Sequence, residues 1–90
     1  MRYGIRRTTQ FKRDVKRCIN RGQDLEQLLF VVQELAEGHI LPERYNDHLL
    51  KGQYIGKRDC HINPEWILIY AVEDNELVLY RTGSHSDLFR

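Results

Sequence analysis

Cysteine is scarce in this chain. Cys18 and Cys60 are the only two in 90 residues, too few and too far apart for a disulfide framework or a CxxC site. Reduced thiols in a cytoplasmic protein are therefore expected. No stretch approaches the ~18 consecutive apolar residues of a membrane span. The first twenty residues are basic and hold no apolar run, so no signal peptide is expected. Internal repeats and low-complexity segments are absent as well. A hydrophobic content of 41% with 30% charged residues describes a soluble globular protein and argues against disorder. At this length one core is all that can form, so residues 1–90 are read as one domain.

Acidic residues are almost missing from the first 22 positions. Eight Lys or Arg stand there against Asp14 alone, a local net of +7. Residues 23–50 carry six acids against Arg44, a net of −5, and the whole chain is only +1. A polyanion responds to the nearest charged surface more than to the global sum. The basic segment is thus a candidate contact for RNA or for an acidic protein segment.

Alternation of Tyr3 and Ile5 with Arg2, Gly4 and Arg6 predicts a short strand over residues 1–8. Thr9 can cap a helix over about 10–21, in which Phe11, Val15, Cys18 and Ile19 form one stripe. Gly22 ends it, and Asp24 with Gln27 resembles a capping box for a second helix over 25–37. Its expected core face is Leu25, Leu28, Leu29, Val32, Leu35 and Ala36. So short a connection implies an antiparallel helical hairpin. Residues 39–53 read as a long irregular connection, a common place for function in a small domain. Residues 54–62 alternate, placing Tyr54, Arg58, Cys60 and Ile62 on one face and Lys57, Asp59 and His61 on the other. WILIYAV (66–72) is continuously apolar, as a central strand covered on both faces would be, and ELVLYRT (76–82) follows after a short turn. The order β-α-α-β-β-β predicts an α+β domain: a helical hairpin on a mainly antiparallel sheet completed by a three-strand meander, with a short C-terminal segment.

His48, His61 and His85 are the chemically suggestive residues; His39, just after a helix, reads as a surface residue. Their spacing matches neither HxxxH nor HxH and no Cys pair is near, which disfavours zinc. Ser84, His85 and Asp87 are too close in sequence to align as a catalytic triad. Phosphodiester chemistry on RNA fits better. RNA supplies its own nucleophile, so a base, an acid and a fixed cation suffice. Histidine can be either acid or base near neutral pH, and Arg81 offers a charged fork for phosphate. Trp66 and Phe89 could stack on bases, although Trp66 suits a core and Phe89 could simply pack the C-terminus. Arg81 could equally pair with Glu65 or Asp87. Composition and spacing leave a ribonuclease as one candidate among several.

DHLLKG at 47–52, RDCHINPEWILIY at 58–70 and RTGSHSDLF at 81–89 resemble, in this order and spacing, the YafQ branch of the RelE/ParE superfamily of bacterial type II toxins. With the helical hairpin the resemblance spans essentially the whole chain. It implies an endoribonuclease that cuts mRNA in the ribosomal A site, needs no metal or other cofactor, and is neutralised by a cognate antitoxin. The toxin would be monomeric when free and hetero-oligomeric with its antitoxin. The catalytic set implied is His48, His61, Glu65, His85 and Phe89, with Arg81 on the phosphate. Trp66, Lys51 and Arg58 would contact substrate. The family usually has Asp where this chain has Glu65, a carboxylate one methylene longer. Lys12, Arg13, Lys16, Arg17 and Arg21 would touch ribosomal RNA or the antitoxin. Two rivals remain at this point: a ParE-like inhibitor of DNA gyrase, which has no need of three histidines, and a non-catalytic RNA-binding module.

Overall fold

A computed structural model describes residues 2–89; Met1 and Arg90 lie outside the described residues. The expected elements are present with shifted ends. Strand β1 covers Gly4–Arg7, helix α1 Thr9–Asn20 and helix α2 Leu25–Ala36. Strands β2 (His48–Leu49), β3 (Arg58–Asn63), β4 (Trp66–Glu73) and β5 (Glu76–Gly83) follow, and a one-turn helix α3 spans His85–Leu88. The sheet order is β1-β5-β4-β3-β2, with β1 parallel to β5 and every other pair antiparallel.

Local chemistry accounts for the boundaries. Thr8, not Thr9, caps α1: its Oγ1 accepts from the Phe11 N–H and donates to the Tyr80 carbonyl, tying the helix start to β5. Gly22 sits at φ 97°, where a side chain is strained, and lets the chain reverse while N–H groups of residues 22 and 23 satisfy the last carbonyls of α1. Asp24 caps α2 through the Glu26 N–H, but Gln27 makes no reciprocal bond and instead accepts from Asn63. The reciprocal capping box lies elsewhere, between Ser84 and Asp87 at the start of α3. Asp74 and Asn75, both at positive φ, make the two-residue turn between β4 and β5.

One sheet face packs on α1 and α2 around Phe11, Cys18, Leu28, Val31, Leu35, Cys60, Trp66, Leu68, Leu77 and Leu79. The expected stripes are rotated. Ile19, Leu25 and Leu29 are exposed, and Val31 takes a core place that had not been assigned to it. The opposite face is smaller: Ile67 and Ile69 of β4 are covered by Leu88 of α3, with Leu50, Tyr54, Tyr80 and Phe89 around them. Residues 39–53 are more ordered than a loop, because His48–Leu49 adds an edge strand paired His48↔Asp59 and Leu49↔Arg58. Tyr54 belongs to a 3₁₀ turn (Gly52–Tyr54) and lies on the α3 side, not on the face of Cys60 and Ile62.

Candidate active site

Strand register assembles the site on the α3 face. Asp59 pairs with Ile69, which pairs with Arg81; His61 pairs with Ile67, which pairs with Gly83. Side chains alternate across a strand, so these two rows bring Asp59, His61 and Arg81 to one face. A bulge between Ile69 and Tyr70 opposite Tyr80 allows Arg81 to share that face with Ile69. β2 then delivers His48 directly opposite Asp59, and α3 delivers His85.

Asp59 is the centre of this arrangement. It is 4% exposed, and burial pushes its carboxyl above the usual range while the charges of His48, His61 and His85 pull it back. His48 Nδ1 lies 3.1 Å from Asp59 Oδ1 but only 2.7 Å from the Asn46 carbonyl, to which it donates. Asp59 Oδ1 is therefore a buried oxygen with ionic company and no hydrogen bond of its own among the described residues. Of the three candidate histidines, His48 lies within ion-pair distance of this carboxylate, while His61 and His85 act on it through their charge.

A second group surrounds an open cavity of about 450 Å³ lined by Glu65, Trp66, His85, Ser84, Ser86, Arg21, Gln23, Pro64 and Cys18. Glu65, on the β3–β4 turn, is exposed there, with its N–H held by Asn63 Oδ1. The His85 ring lies 4.9 Å from that of Phe89, which meets Tyr54 edge-on at 5.6 Å. Tyr54 is a residue the sequence reading passed over. Its hydroxyl donates to the Leu88 carbonyl, accepts a long 3.5 Å contact from Arg81 Nη1, and so links α3, Phe89 and Arg81.

Several assignments change. Trp66 is fully buried, with 0% exposure, so it cannot stack on a base; it forms cavity floor and core, and its Nε1–H finds no acceptor among the described residues. Arg58 is held by Asp47 at 2.8 Å, in a network with the Tyr70 hydroxyl on the helix-covered face, opposite the face of Asp59 and His61. Lys51 is exposed on the connection before the 3₁₀ turn. Arg17 and Arg21 are engaged in ion pairs within the chain, although Arg21 stays exposed. Arg17 lies 3.2 Å from Asp14 and 3.6 Å from Asp87, and Arg21 lies 2.8 Å from Asp87. Lys12, Arg13 and Lys16 remain exposed on α1. Arg81 pairs with neither Glu65 nor Asp87 but with Asp14.

Asp87 latches α3. Burial would raise its carboxyl, but the Ser84 N–H, Arg21, the Ser84 hydroxyl contact and Arg17 together lower it from 3.8 to about 2. A depressed acid stabilises the fold fully above its unfolded value, and this contribution disappears as pH falls through the folded one. The amide resonances of α3 are expected to shift cooperatively between pH 4 and 2, reflecting a loss of roughly 1–2 kcal/mol of local stability. Asp87→Asn should flatten that transition.

Gly83 is needed for space, not for a left-handed turn. A Cβ there would stand 2.8 Å from Asp87 Oδ2 and 3.0 Å from Arg17 Nη2. Gly83→Ala is expected to lower stability by about 1–3 kcal/mol through this overpacking, as read by thermal unfolding.

Among the described residues no group of three or more His, Cys, Asp or Glu side chains converges so as to hold a metal ion. Cys18, at the cavity wall, and Cys60 are buried thiols whose acidity is suppressed by burial. No helix among the described residues is long and apolar enough to cross a membrane.

Residues 3–90 match the family described as "Bacterial toxin of type II toxin-antitoxin system, YafQ". The chain belongs to the YafQ toxin family. It is 41% identical over 81 residues to the mRNA interferase toxin YafQ of Escherichia coli K12, covering 89% of this chain and 88% of that one. Its fold superimposes on crystalline YafQ from E. coli BL21(DE3) with a TM-score of 0.92 at 37% identity, over 98% and 99% of the two chains. Against the toxin of the E. coli DinJ–YafQ complex the TM-score is 0.89 at 38% identity, with the same coverage. Of the residues expected from sequence, His48, His61, Arg81, His85 and Phe89 lie on or beside the α3 face, Glu65 stands on the β3–β4 turn, Trp66 is buried and Arg58 lies on the helix-covered face.

Proposed function

We propose that this YafQ-family toxin is a cytoplasmic endoribonuclease that cuts mRNA in the ribosomal A site, using the RNA's own 2′-hydroxyl. The observation that carries the reading is the placement of His48, His61 and Arg81 around the buried Asp59 by strand register, beside the cavity lined by Glu65 and His85. A gyrase inhibitor or a passive RNA-binding module has no use for that arrangement.

In the reaction the 2′-oxygen attacks phosphorus and the P–O5′ bond breaks, leaving a 2′,3′-cyclic phosphate and a 5′-hydroxyl. Glu65, exposed at the cavity edge, takes the 2′ proton. His85, whose ring is steadied by the tilted Phe89 ring 4.9 Å away, delivers a proton to the departing 5′-oxygen. Arg81 meets the charge growing on the phosphoryl oxygens. His61 and His48 hold the phosphate backbone beside them. Lys12, Arg13 and Lys16 dock on ribosomal RNA phosphates, with Arg21 at the cavity mouth.

Inhibition is assigned to a cognate antitoxin. An apolar groove lined by Ile5, Phe11, Val15, Leu25 and Leu29, with Arg7 and Lys12 at its rim, suits an acidic amphipathic segment of such a partner. Leu29→Glu is expected to weaken antitoxin binding at least tenfold, about 1.4 kcal/mol, with cleavage unchanged; titration of the purified pair checks this.

Growth arrest on induction, followed by primer extension on a translated mRNA, tests the function. Cleavage inside codons of ribosome-bound message is expected. Arrest with intact message and damaged or relaxed DNA would assign the chain to gyrase instead.

A further inference from the structure

Asp14 is the one acid in the first 22 residues, and it is fully buried. Strand β1 ends at Arg7, so β5 loses its neighbour before Thr82, whose N–H needs another acceptor. Asp14 Oδ2 supplies it at 3.1 Å. A neutral acceptor would have served that purpose. Instead the carboxylate also takes Arg81 in a two-point grip, Oδ2 from Nε at 2.7 Å and Oδ1 from Nη2 at 3.2 Å. Gln10 and Arg17 steady Oδ1 from the helix side at 3.0 and 3.2 Å.

The grip uses one edge of the guanidinium. Among the described residues the other edge, Nη1 with the second Nη2 hydrogen, keeps the long contact to Tyr54, and the Arg81 side chain remains 25% exposed. A fork held along Nε/Nη2 presents Nη1/Nη2 for bidentate contact with two phosphate oxygens.

We propose that Asp14 is a positioning residue for RNA cleavage: it holds the Nε/Nη2 edge of Arg81 so that the Nη1/Nη2 edge meets the phosphate undergoing cleavage. The inference rests on the phosphate role given to Arg81 above. A preorganised charge contributes without reorganising during the reaction, and a buried ion pair is by itself weak evidence of a stabilising purpose.

The test is a double-mutant cycle in single-turnover cleavage of mRNA held in the ribosomal A site, using wild type, Asp14→Asn, Arg81→Ala and the double variant. Arg81→Ala is expected to slow the cleavage step about 10²–10³-fold. Asp14→Asn is expected to slow it roughly 10–100-fold, with half-saturating toxin concentration within about twofold. The double variant should be no slower than Arg81→Ala. A purely structural role would instead multiply the two losses. Multiplicative losses, or wild-type cleavage by Asp14→Asn beside an impaired Arg81→Ala, overturn the inference. Wild-type cleavage by Arg81→Ala removes the phosphate role itself and the inference with it. If Asp14→Asn does not fold, Asp14→Glu keeps the charge and moves the grip by one methylene. A loss of about tenfold or more is then expected, and a wild-type rate overturns the inference.

Discussion

His85→Ala slows A-site mRNA cleavage by about 10²–10⁴-fold, the span expected for removing one positioned proton-transfer group. His85 is exposed, and α3 is held by other means: the Ser84–Asp87 capping box, Arg21, and Tyr54 on the Leu88 carbonyl. The variant therefore melts within a degree or two of wild type, since exposed substitutions away from such features cost under about 0.5 kcal/mol. Single-turnover rates beside thermal unfolding measure both quantities. A folded His85→Ala protein cleaving at the wild-type rate removes His85 from the reaction.

Asp59→Asn separates activity from stability, with opposite signs. Cleavage falls by about 10²-fold, because the site loses the buried negative charge that stands 3.1 Å from His48. The fold gains. A carboxyl raised by burial binds protons more readily folded than unfolded, so its contribution favours the fold at low pH and is lost as pH rises through the folded value. At neutral pH the ionised, hydrogen-bond-poor Asp59 is a cost that the amide removes. An increase of about 1 kcal/mol corresponds to roughly 5 °C for a chain of this size. The gain should vanish towards pH 3, where Asp59 itself is protonated. Loss of both activity and stability would show that Asp59 is a structural partner of His48 alone.

The meander was readable because its strands are long enough for pattern. WILIYAV is apolar on every position, and ELVLYRT follows a turn whose two residues tolerate positive φ. The face of α2 was not readable. Leu25, Leu28, Leu29, Phe30, Val31, Val32 and Leu35 surround most of its circumference, so a 3.6-residue period cannot choose between Leu29 and Val31. β2 is two residues long, below any periodicity, yet it sets His48 opposite Asp59. Tyr54 extends the alternation of β3 in sequence, but the 3₁₀ turn re-aims it. Arg17 and Arg21 resembled a solvated basic face until Asp87, 66 residues beyond Arg21, claimed them.

The two buried carboxylates left fainter signals. Asp14 stands alone among eight basic residues, and Asp59 alternates with the apolar Cys60 on a strand bordered by histidine. Both resembled ordinary surface acids in sequence, because the groups they serve come from distant β5, β2 and α3.

The central claim is attack by the RNA's own 2′-oxygen, with Glu65 taking its proton and His85 protonating the departing 5′-oxygen. Replacing the single 2′-hydroxyl at the scissile nucleotide by 2′-O-methyl, in otherwise identical ribosome-bound mRNA, tests it most directly. The account predicts that cleavage at that position disappears while cleavage at unmodified codons continues, with the normal product ending in a 2′,3′-cyclic phosphate. Cleavage of the 2′-O-methyl position at the unmodified rate would contradict it.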